Sequence, residues 1–244
     1  MSGRWLAIDT ATDIASVAVG QPPGVEAAAH VQGARRHAAE LLRLVDFCLD
    51  RAGARVDDLE GLVVADGPGS FTGLRIGWAT VKGLAHETGL DVRSVPSLMA
   101  FAAGVATKLG AVPIAAWFDA LRGQVYGAMY VVHPDRMEVV VPPRLLTPEE
   151  FVAAAPIVAA AVAGDGAVRY ADVAARWSGR SPIALPDLPQ SAVMLLSLLP
   201  KAGAATVVDD LGGAEPVYGR LAEAQVKWEA RHGRPLPDPS RPTS

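Results

Sequence analysis

The sequence predicts an α/β protein made of two halves that share one topology. Each half opens with an apolar stretch that ends in an aspartate, Asp9 in the first half and Asp119 in the second. In each half, three segments with strand-like patterning precede a segment with helical patterning. Half of the 244 residues are hydrophobic, which is enough to give each of two lobes its own core.

The first half follows the order βββαβαβα. Polar turns and glycine or proline residues separate its short apolar runs from longer amphipathic segments. Strands are predicted at residues 4–10, 14–20, 25–31, 61–66 and 91–95, and helices at residues 34–52, 74–88 and 97–108.

The second half repeats the pattern of three strands before a helix. Thr147, Pro148 and Glu150 predict a helix start, with a threonine cap, proline in the first position and glutamate three residues after the cap. Strands are predicted at residues 112–118, 124–132, 137–146 and 157–164, and a further helix at 191–201.

These elements divide the chain into an N-terminal lobe at residues 1–110 and a C-terminal lobe at residues 111–232. Residues 233–244 are polar and rich in proline, which predicts a disordered tail.

Composition excludes several classes of function. The net charge of −4 argues against RNA binding by this chain alone, because affinity for nucleic acid depends on Lys and Arg. Cys48 is the one cysteine, so neither an internal disulfide nor a cysteine-based zinc site can form, and its apolar neighbours favour a buried thiol. The five histidines form no HxxxH or HExxH pair, so we expect no metal site.

The hydropathy pattern predicts a cytoplasmic protein. The longest apolar run, residues 157–163, is far shorter than the roughly 20 residues of a membrane helix. An aspartate at position 9 interrupts the N-terminal segment too early for a secretory signal.

A glycine-rich segment, DGPGSFTGLRIG from Asp66 to Gly77, lies between a predicted buried strand and a helix. Glycines allow close approach of the backbone, and the first amides of a helix can bind an anion. The segment has neither the Gly-Lys-Ser/Thr of a Walker A loop nor the spacing of a dinucleotide fingerprint. A capping turn without ligand and a phosphate site therefore both stay open, with Ser70 or Thr72 as the helix cap. The candidate nucleotide-binding residues of this loop are Gly67, Gly69, Ser70 and Thr72.

Asp9 and Thr10 end the first strand and begin a turn. A carboxylate and a hydroxyl at such a turn can hold Mg²⁺ and phosphate. The alternative is a turn in which both side chains bond to their own backbone.

The first long helix places its apolar residues on one broad arc that predicts the core. Its members are Leu41, Leu42, Leu44, Val45, Cys48 and Leu49. Phe47 falls on the opposite side and is a candidate interface anchor. His37 opens the helix beside Arg36, which predicts a solvated helix end.

The second long helix carries two faces. Leu74, Trp78, Val81 and Ala85 form the core face. The other face is small and nearly uncharged, whereas a solvent-facing stripe normally carries charges. This stripe, formed by Ile76, Ala79, Thr80 and Gly83, therefore favours contact with a partner over a further contact within the chain.

Five motifs occur together over residues 4–228 of this chain: LAIDTATDIASVAV, GPGSFTGLRIG with the following KGLA, DALRGQVY, GDG at residues 164–166 and EPVYGR. In this combination they resemble the bacterial TsaB family, also called YeaZ. The resemblance implies an ASKHA (actin/Hsp70/sugar-kinase-like) fold of two lobes with duplicated RNase H-like βββαβα topology. The sequence departs from the family pattern at Leu121, Gln124 and Gly219, which argues against nucleotide binding through that side of the cleft.

The resemblance also implies a role as the non-catalytic, scaffold or dimerization subunit of a tRNA-modifying complex. Such a subunit supports the catalytic paralogue TsaD, together with the ATPase TsaE. The complex transfers a threonylcarbamoyl group to the adenosine 3′ of the anticodon in tRNAs that read codons beginning with A. We expect no catalytic residue and no required cofactor in this chain, ATP or ADP with Mg²⁺ only in the complex, and tRNA contact only through the complex.

The resemblance places the TsaD contact, and a homodimer contact that uses the same surface, on the first two long helices. The interface residues predicted there are Arg36, His37, Glu40, Arg43, Phe47, Ile76, Ala79, Thr80 and Gly83.

Two alternatives remain. An ATP-dependent phosphotransferase of the ASKHA type would use Asp9 or Asp119 for Mg²⁺ or as a base, but the second half shows no well-formed phosphate loop. A peptidase would need a metal pair or a nucleophile with a positioned base, and the sequence offers neither motif.

Overall fold

The computed structural model of the chain describes residues 3–33, 36–219 and 231. Ten strands and seven α-helices alternate along these ranges. The strands are β1 Arg4–Asp9, β2 Ile14–Gly20, β3 Ala27–Gln32, β4 Leu59–Ala65, β5 Asp91–Val95, β6 Pro113–Asp119, β7 Val125–Val132, β8 Met137–Leu146, β9 Ala161–Ala163 and β10 Thr206–Val207. The helices are α1 His37–Arg51, α2 Phe71–Thr88, α3 Ser97–Leu109, α4 Pro148–Ala154, α5 Asp165–Arg169, α6 Ala171–Ser178 and α7 Ser191–Leu198.

The strands form two sheets with related topology. The first sheet has the order β10-β5-β4-β1-β2-β3 and the second has the order β8-β7-β6-β9. In both sheets a three-stranded antiparallel meander is followed by a strand that pairs in parallel with the first strand of the meander. The predicted duplication and the ASKHA fold class are confirmed.

Two helices join the lobes. Helix α3 packs on β6 and β7 of the second sheet, whereas α7 packs on β1 and β2 of the first, and the two helices pack on each other. Ser16 in β2 accepts a hydrogen bond from the Ala192 amide of α7 at 3.1 Å. One continuous apolar cluster therefore runs between the two sheets. The predicted lobe boundary between residues 110 and 111 stays a prediction.

The outer face of the first sheet is covered by α1 and α2. The cluster beneath them includes Leu6 and Ile8 from β1, Leu41 and Val45 from α1, and Trp78 from α2. This cluster holds the two helices on the sheet and leaves their opposite faces toward solvent.

The second lobe has its own outer core. Trp117 stacks on Trp177 with ring centroids 5.9 Å apart and meets Phe151 edge-on at 5.5 Å. Helix α4 starts as predicted, because the Thr147 hydroxyl accepts from the Glu150 amide and the Glu150 carboxylate accepts from the Thr147 amide.

Several predicted boundaries are wrong. The strand expected at 157–164 is only Ala161–Ala163, because it pairs with β6 through three residues. Helix α7 ends at Leu198 because Pro200, two residues later, has no amide hydrogen to continue the helix. Helices α5 and α6 and strand β10 were not predicted, since elements of two to eight residues carry little periodicity.

In the residues that the structure describes, no helix is both long and apolar enough to span a membrane. The predicted tail at 233–244 lies outside the described residues.

Candidate functional site

The turn after β1 packs directly into the start of α2. The Thr10 hydroxyl donates a hydrogen bond to the Gly73 carbonyl at 2.7 Å, and the Ser70 amide donates to the Ala11 carbonyl at 2.7 Å. Asp9 and Thr10 are 1% and 2% exposed. The two loops in which the sequence predicted phosphate binding therefore bind each other.

The glycines of the loop make this contact possible. A Cβ at Gly73 would meet the Thr10 carbonyl, one at Gly77 would meet the Thr10 hydroxyl, and one at Gly69 would meet the Ala11 carbonyl. Gly67 has φ +112° and approaches the Val217 carbonyl in the same way. The glycines are needed for packing within the chain, whatever else the loop does.

The sequence predicted Ser70 or Thr72 as the N-terminal cap of α2, and the cap is Ser70. Its hydroxyl accepts from the Gly73 amide at 3.2 Å. Thr72 lies exposed in the first turn of the helix. The six predicted nucleotide-binding residues thus come together in space, and nucleotide binding by them stays a prediction.

Asp9 lies in a setting that favours its protonated form. Burial raises the pKa of its carboxyl, and the Ser191 hydroxyl, the Ala11 amide and the nearby His37 oppose that rise. Its Oδ1 accepts from the Ala11 amide at 2.7 Å. Because Mg²⁺ binds the deprotonated carboxylate, this burial opposes metal binding at Asp9.

Asp119, the other aspartate at a strand end, is engaged through both oxygens. Its Oδ2 accepts from Arg169 at 2.8 Å and its Oδ1 accepts from the Leu121 amide at 3.0 Å. Its backbone amide donates to Asp165 at 3.1 Å. The carboxylate of Asp119 therefore fixes the β6–β7 turn.

No group of three or more His, Cys, Asp or Glu side chains arranged to hold a metal ion occurs within residues 3–33 and 36–219.

The outward faces of α1 and α2 carry most of the predicted interface residues. Phe47 is 52% exposed, and Ala79 and Gly83 are also exposed. A Cβ added at Gly83 would meet no atom within 4 Å, so the helix backbone is open to solvent there. Ile76 and Thr80 are half-buried, and the Thr80 hydroxyl donates to the Ile76 carbonyl at 2.9 Å. The surface is accessible along Ala79 and Gly83.

The charged residues at the start of α1 form surface ion pairs. Glu40 lies 3.8 Å from Arg36 and 3.6 Å from Arg43. Exposed pairs of this kind contribute little to stability, and they leave these side chains able to contact a partner.

The prediction that His37 is solvated is wrong. The ring is fully buried, with Nε2 lying 3.3 Å from the Asp13 carbonyl. Because α1 begins at His37 itself, the ring packs under the helix start, against the turn after β1. His37 therefore supports α1 from inside and cannot contact a partner without leaving that position.

The comparisons with known proteins give two descriptions, TsaD and TsaB, both of proteins of tRNA threonylcarbamoyladenosine formation. A sequence profile described as "TsaD: tRNA N6-adenosine threonylcarbamoyltransferase" matches residues 28–179. The tRNA threonylcarbamoyladenosine biosynthesis protein TsaB of Escherichia coli is 37% identical over 150 residues, which are 59% of this chain and 64% of that protein. The Bacillus subtilis protein with the same description is 36% identical over 138 residues, 56% of this chain and 59% of that protein.

A solved structure described as YeaZ from Pseudomonas aeruginosa superposes with a TM-score of 0.66 at 31% identity, covering 80% of this chain and 89% of that one. The chain belongs to the TsaB/YeaZ family. It spans less than two thirds of the length of the Escherichia coli and Bacillus subtilis relatives that it matches.

In this member of the TsaB/YeaZ family, the structure adds Leu42 to the exposed helix face. The sequence pattern placed Leu42 in the core, but 57% of the residue is exposed. It lies one turn before Asp46 and two turns before Leu49, on the side of α1 that faces α2. Helical periodicity alone could not separate it from Leu41 and Val45, which are buried.

Proposed function

We propose that this chain is a non-catalytic, cytoplasmic subunit of a tRNA threonylcarbamoylation complex and that its α1–α2 face binds the catalytic subunit TsaD. In this proposal TsaE joins the complex, tRNA is contacted only through the assembly, and a free homodimer uses the same face. The relatives' description as threonylcarbamoyladenosine biosynthesis proteins supports the role in tRNA modification.

The exposed apolar and small residues of the α1–α2 face are the observation on which the proposal rests. Leu42 and Phe47 are more than half exposed on α1, and the small Ala79 and Gly83 are exposed on α2. Small residues let another helix come close, and large apolar side chains on the neighbouring helix supply buried area.

The contacts in the interior support the absence of catalysis. The Asp9–Ala11 turn and the α2 start are bonded to each other, and Asp119 is held by Arg169. These groups act in this proposal as fold supports, and the reaction takes place on the partner.

The test is to place a charge in the face with a residue that still has high helix propensity. Ala79→Glu keeps a strong helix former at an exposed position, so the chain stays folded. We expect binding to purified TsaD to weaken by at least about 100-fold, since an unpaired charge buried in an interface is strongly unfavourable. Isothermal titration calorimetry with TsaD measures the affinity.

The matched control is Ala153→Glu, the same substitution at an exposed alanine of α4 in the second lobe. It should leave the affinity unchanged. Wild-type affinity of Ala79→Glu would show that the face is not the binding surface. Full threonylcarbamoylation of tRNA by TsaD and TsaE without this chain would refute the accessory role itself.

A further inference from the structure

A groove lies between the C-terminal halves of α1 and α2, and the proposed function gives it no role. Its volume is about 540 Å³. Its floor is apolar and comes from three segments: Leu49 of α1, Ala54 and Val56 of the segment that follows α1, and Leu84 of α2.

The rim of the groove is acidic. The acidic lining residues are Asp46, Asp50, Asp57 and Glu87, all exposed, against a single basic lining residue, Arg55. Within the described ranges, none of these four carboxylates forms an ion pair or a side-chain hydrogen bond. Four unpaired negative charges therefore surround one apolar depression.

The helix ends reinforce this negative potential. Asp50 lies in the last turn of α1, which ends at Arg51, and Glu87 lies in the last turn of α2, which ends at Thr88. The C-terminus of a helix carries a partial negative charge and attracts cations. Both helices direct this end toward the same groove.

The groove is continuous with the proposed TsaD-binding face. Gly83 belongs to that face and also lines the groove, and Ala79, Gly83 and Glu87 lie on successive turns of one side of α2. One side of α1 likewise carries, on successive turns, Leu42, Asp46 and Asp50. A protein that covers the face therefore extends over the groove.

We propose that the groove binds a lysine- or arginine-bearing segment of the protein that docks on the α1–α2 face, an inference that rests on the proposed function. A long aliphatic stem fits the apolar floor while its cationic head reaches the carboxylates at the rim. The charge pattern disfavours RNA as the occupant, because its phosphates are repelled by four carboxylates.

The test neutralises the rim without changing its shape. The double variant Asp46→Asn/Asp50→Asn keeps side-chain size, so the groove stays the same and only its charge changes. We expect binding to TsaD to weaken about tenfold at low ionic strength, mainly through slower association, and the salt dependence of the affinity to become shallower. Surface plasmon resonance between about 50 and 500 mM NaCl gives both quantities.

The control is Glu149→Gln/Asp172→Asn, which removes the same net charge from exposed positions on α4 and α6 of the second lobe. It should change neither affinity nor salt dependence. If Ala79→Glu abolishes binding while the groove variant behaves like wild type, the groove inference is overturned and the proposed function stands. If wild-type chain and TsaD do not bind at all, the proposed function fails and the groove inference fails with it.

Discussion

The Thr10 hydroxyl donates a buried hydrogen bond to the Gly73 carbonyl at 2.7 Å, joining the turn after β1 to the first turn of α2. The same turn reaches α1, since the Asp13 carbonyl lies 3.3 Å from Nε2 of His37. Both helices of the proposed interface are therefore fixed at their N-terminal ends by residues 10–13, so that the interior turn sets the position of the outer surface.

Thr10→Val tests this link through stability. The substitution keeps the shape of the side chain and removes the hydroxyl, which should cost about 1–2 kcal/mol in the free energy of unfolding. For a chain of this length that corresponds to a fall in Tm of roughly 3–6 °C, measured by differential scanning calorimetry. The control Thr72→Val alters an exposed threonine of the same helix turn and should leave Tm unchanged. Equal Tm values for Thr10→Val and wild type would show that the bond does not hold the turn.

Asp66, at the end of β4, makes stability depend on pH. Burial raises the pKa of its carboxyl to about 6, against an opposing hydrogen bond from Ser94. The folded state therefore binds the proton of Asp66 more tightly than the unfolded chain does. The protonated carboxyl makes its full contribution to the free energy of unfolding below about pH 4, and this contribution is lost as pH rises through about 6.

Asp66→Asn should remove this dependence, since the amide carries no proton that titrates. We expect the variant to gain up to about 3 kcal/mol over wild type at pH 7.5 and to gain little at pH 4, from urea unfolding at both values. Asp91→Asn, at an exposed site on β5, should show the same small difference at both pH values. A gain for Asp66→Asn that is equal at pH 4 and pH 7.5 would contradict the shifted pKa.

The sequence predicted the positions of strands and helices better than it predicted which side chains are exposed on them. Strand β8 and the capping box at Thr147 lie where expected, because alternation and capping are local signals. The burial of His37 and the exposure of Leu42 depend on where α1 starts and on how it packs beside α2, which no local pattern contains. The same holds for the loop glycines, whose contact with Thr10 joins segments more than sixty residues apart.

Cys48 should be chemically silent in the native protein. The side chain is fully buried and its thiol donates to the Val17 carbonyl at 3.6 Å, while burial raises the pKa of the thiol to about 11. We expect one equivalent of thiol to react with Ellman's reagent in denaturant and none within minutes at pH 8 in buffer. Rapid native labelling would show that α1 opens readily from the sheet. The positive control is Ala153→Cys on α4, away from the proposed interface, whose introduced thiol should react in the native state.

Leu42→Glu distinguishes which side of α1 touches the partner. Leu42 and Phe47 are both more than half exposed, but they lie about 140° apart around the helix axis, Leu42 toward α2 and Phe47 away from it. Leu42 lies on the side of α1 whose Asp46 and Leu49 line the groove shared with Gly83 of α2. Its replacement should therefore weaken TsaD binding more than tenfold, whereas Phe47→Glu should weaken it less. Both sites are exposed, so Tm should change by only a few degrees in either variant. Val168→Glu, at an exposed valine of α5, controls for the loss of an exposed apolar side chain and should bind as wild type does. A stronger effect from Phe47→Glu than from Leu42→Glu would move the contact to the outer side of α1, away from both α2 and the acidic groove.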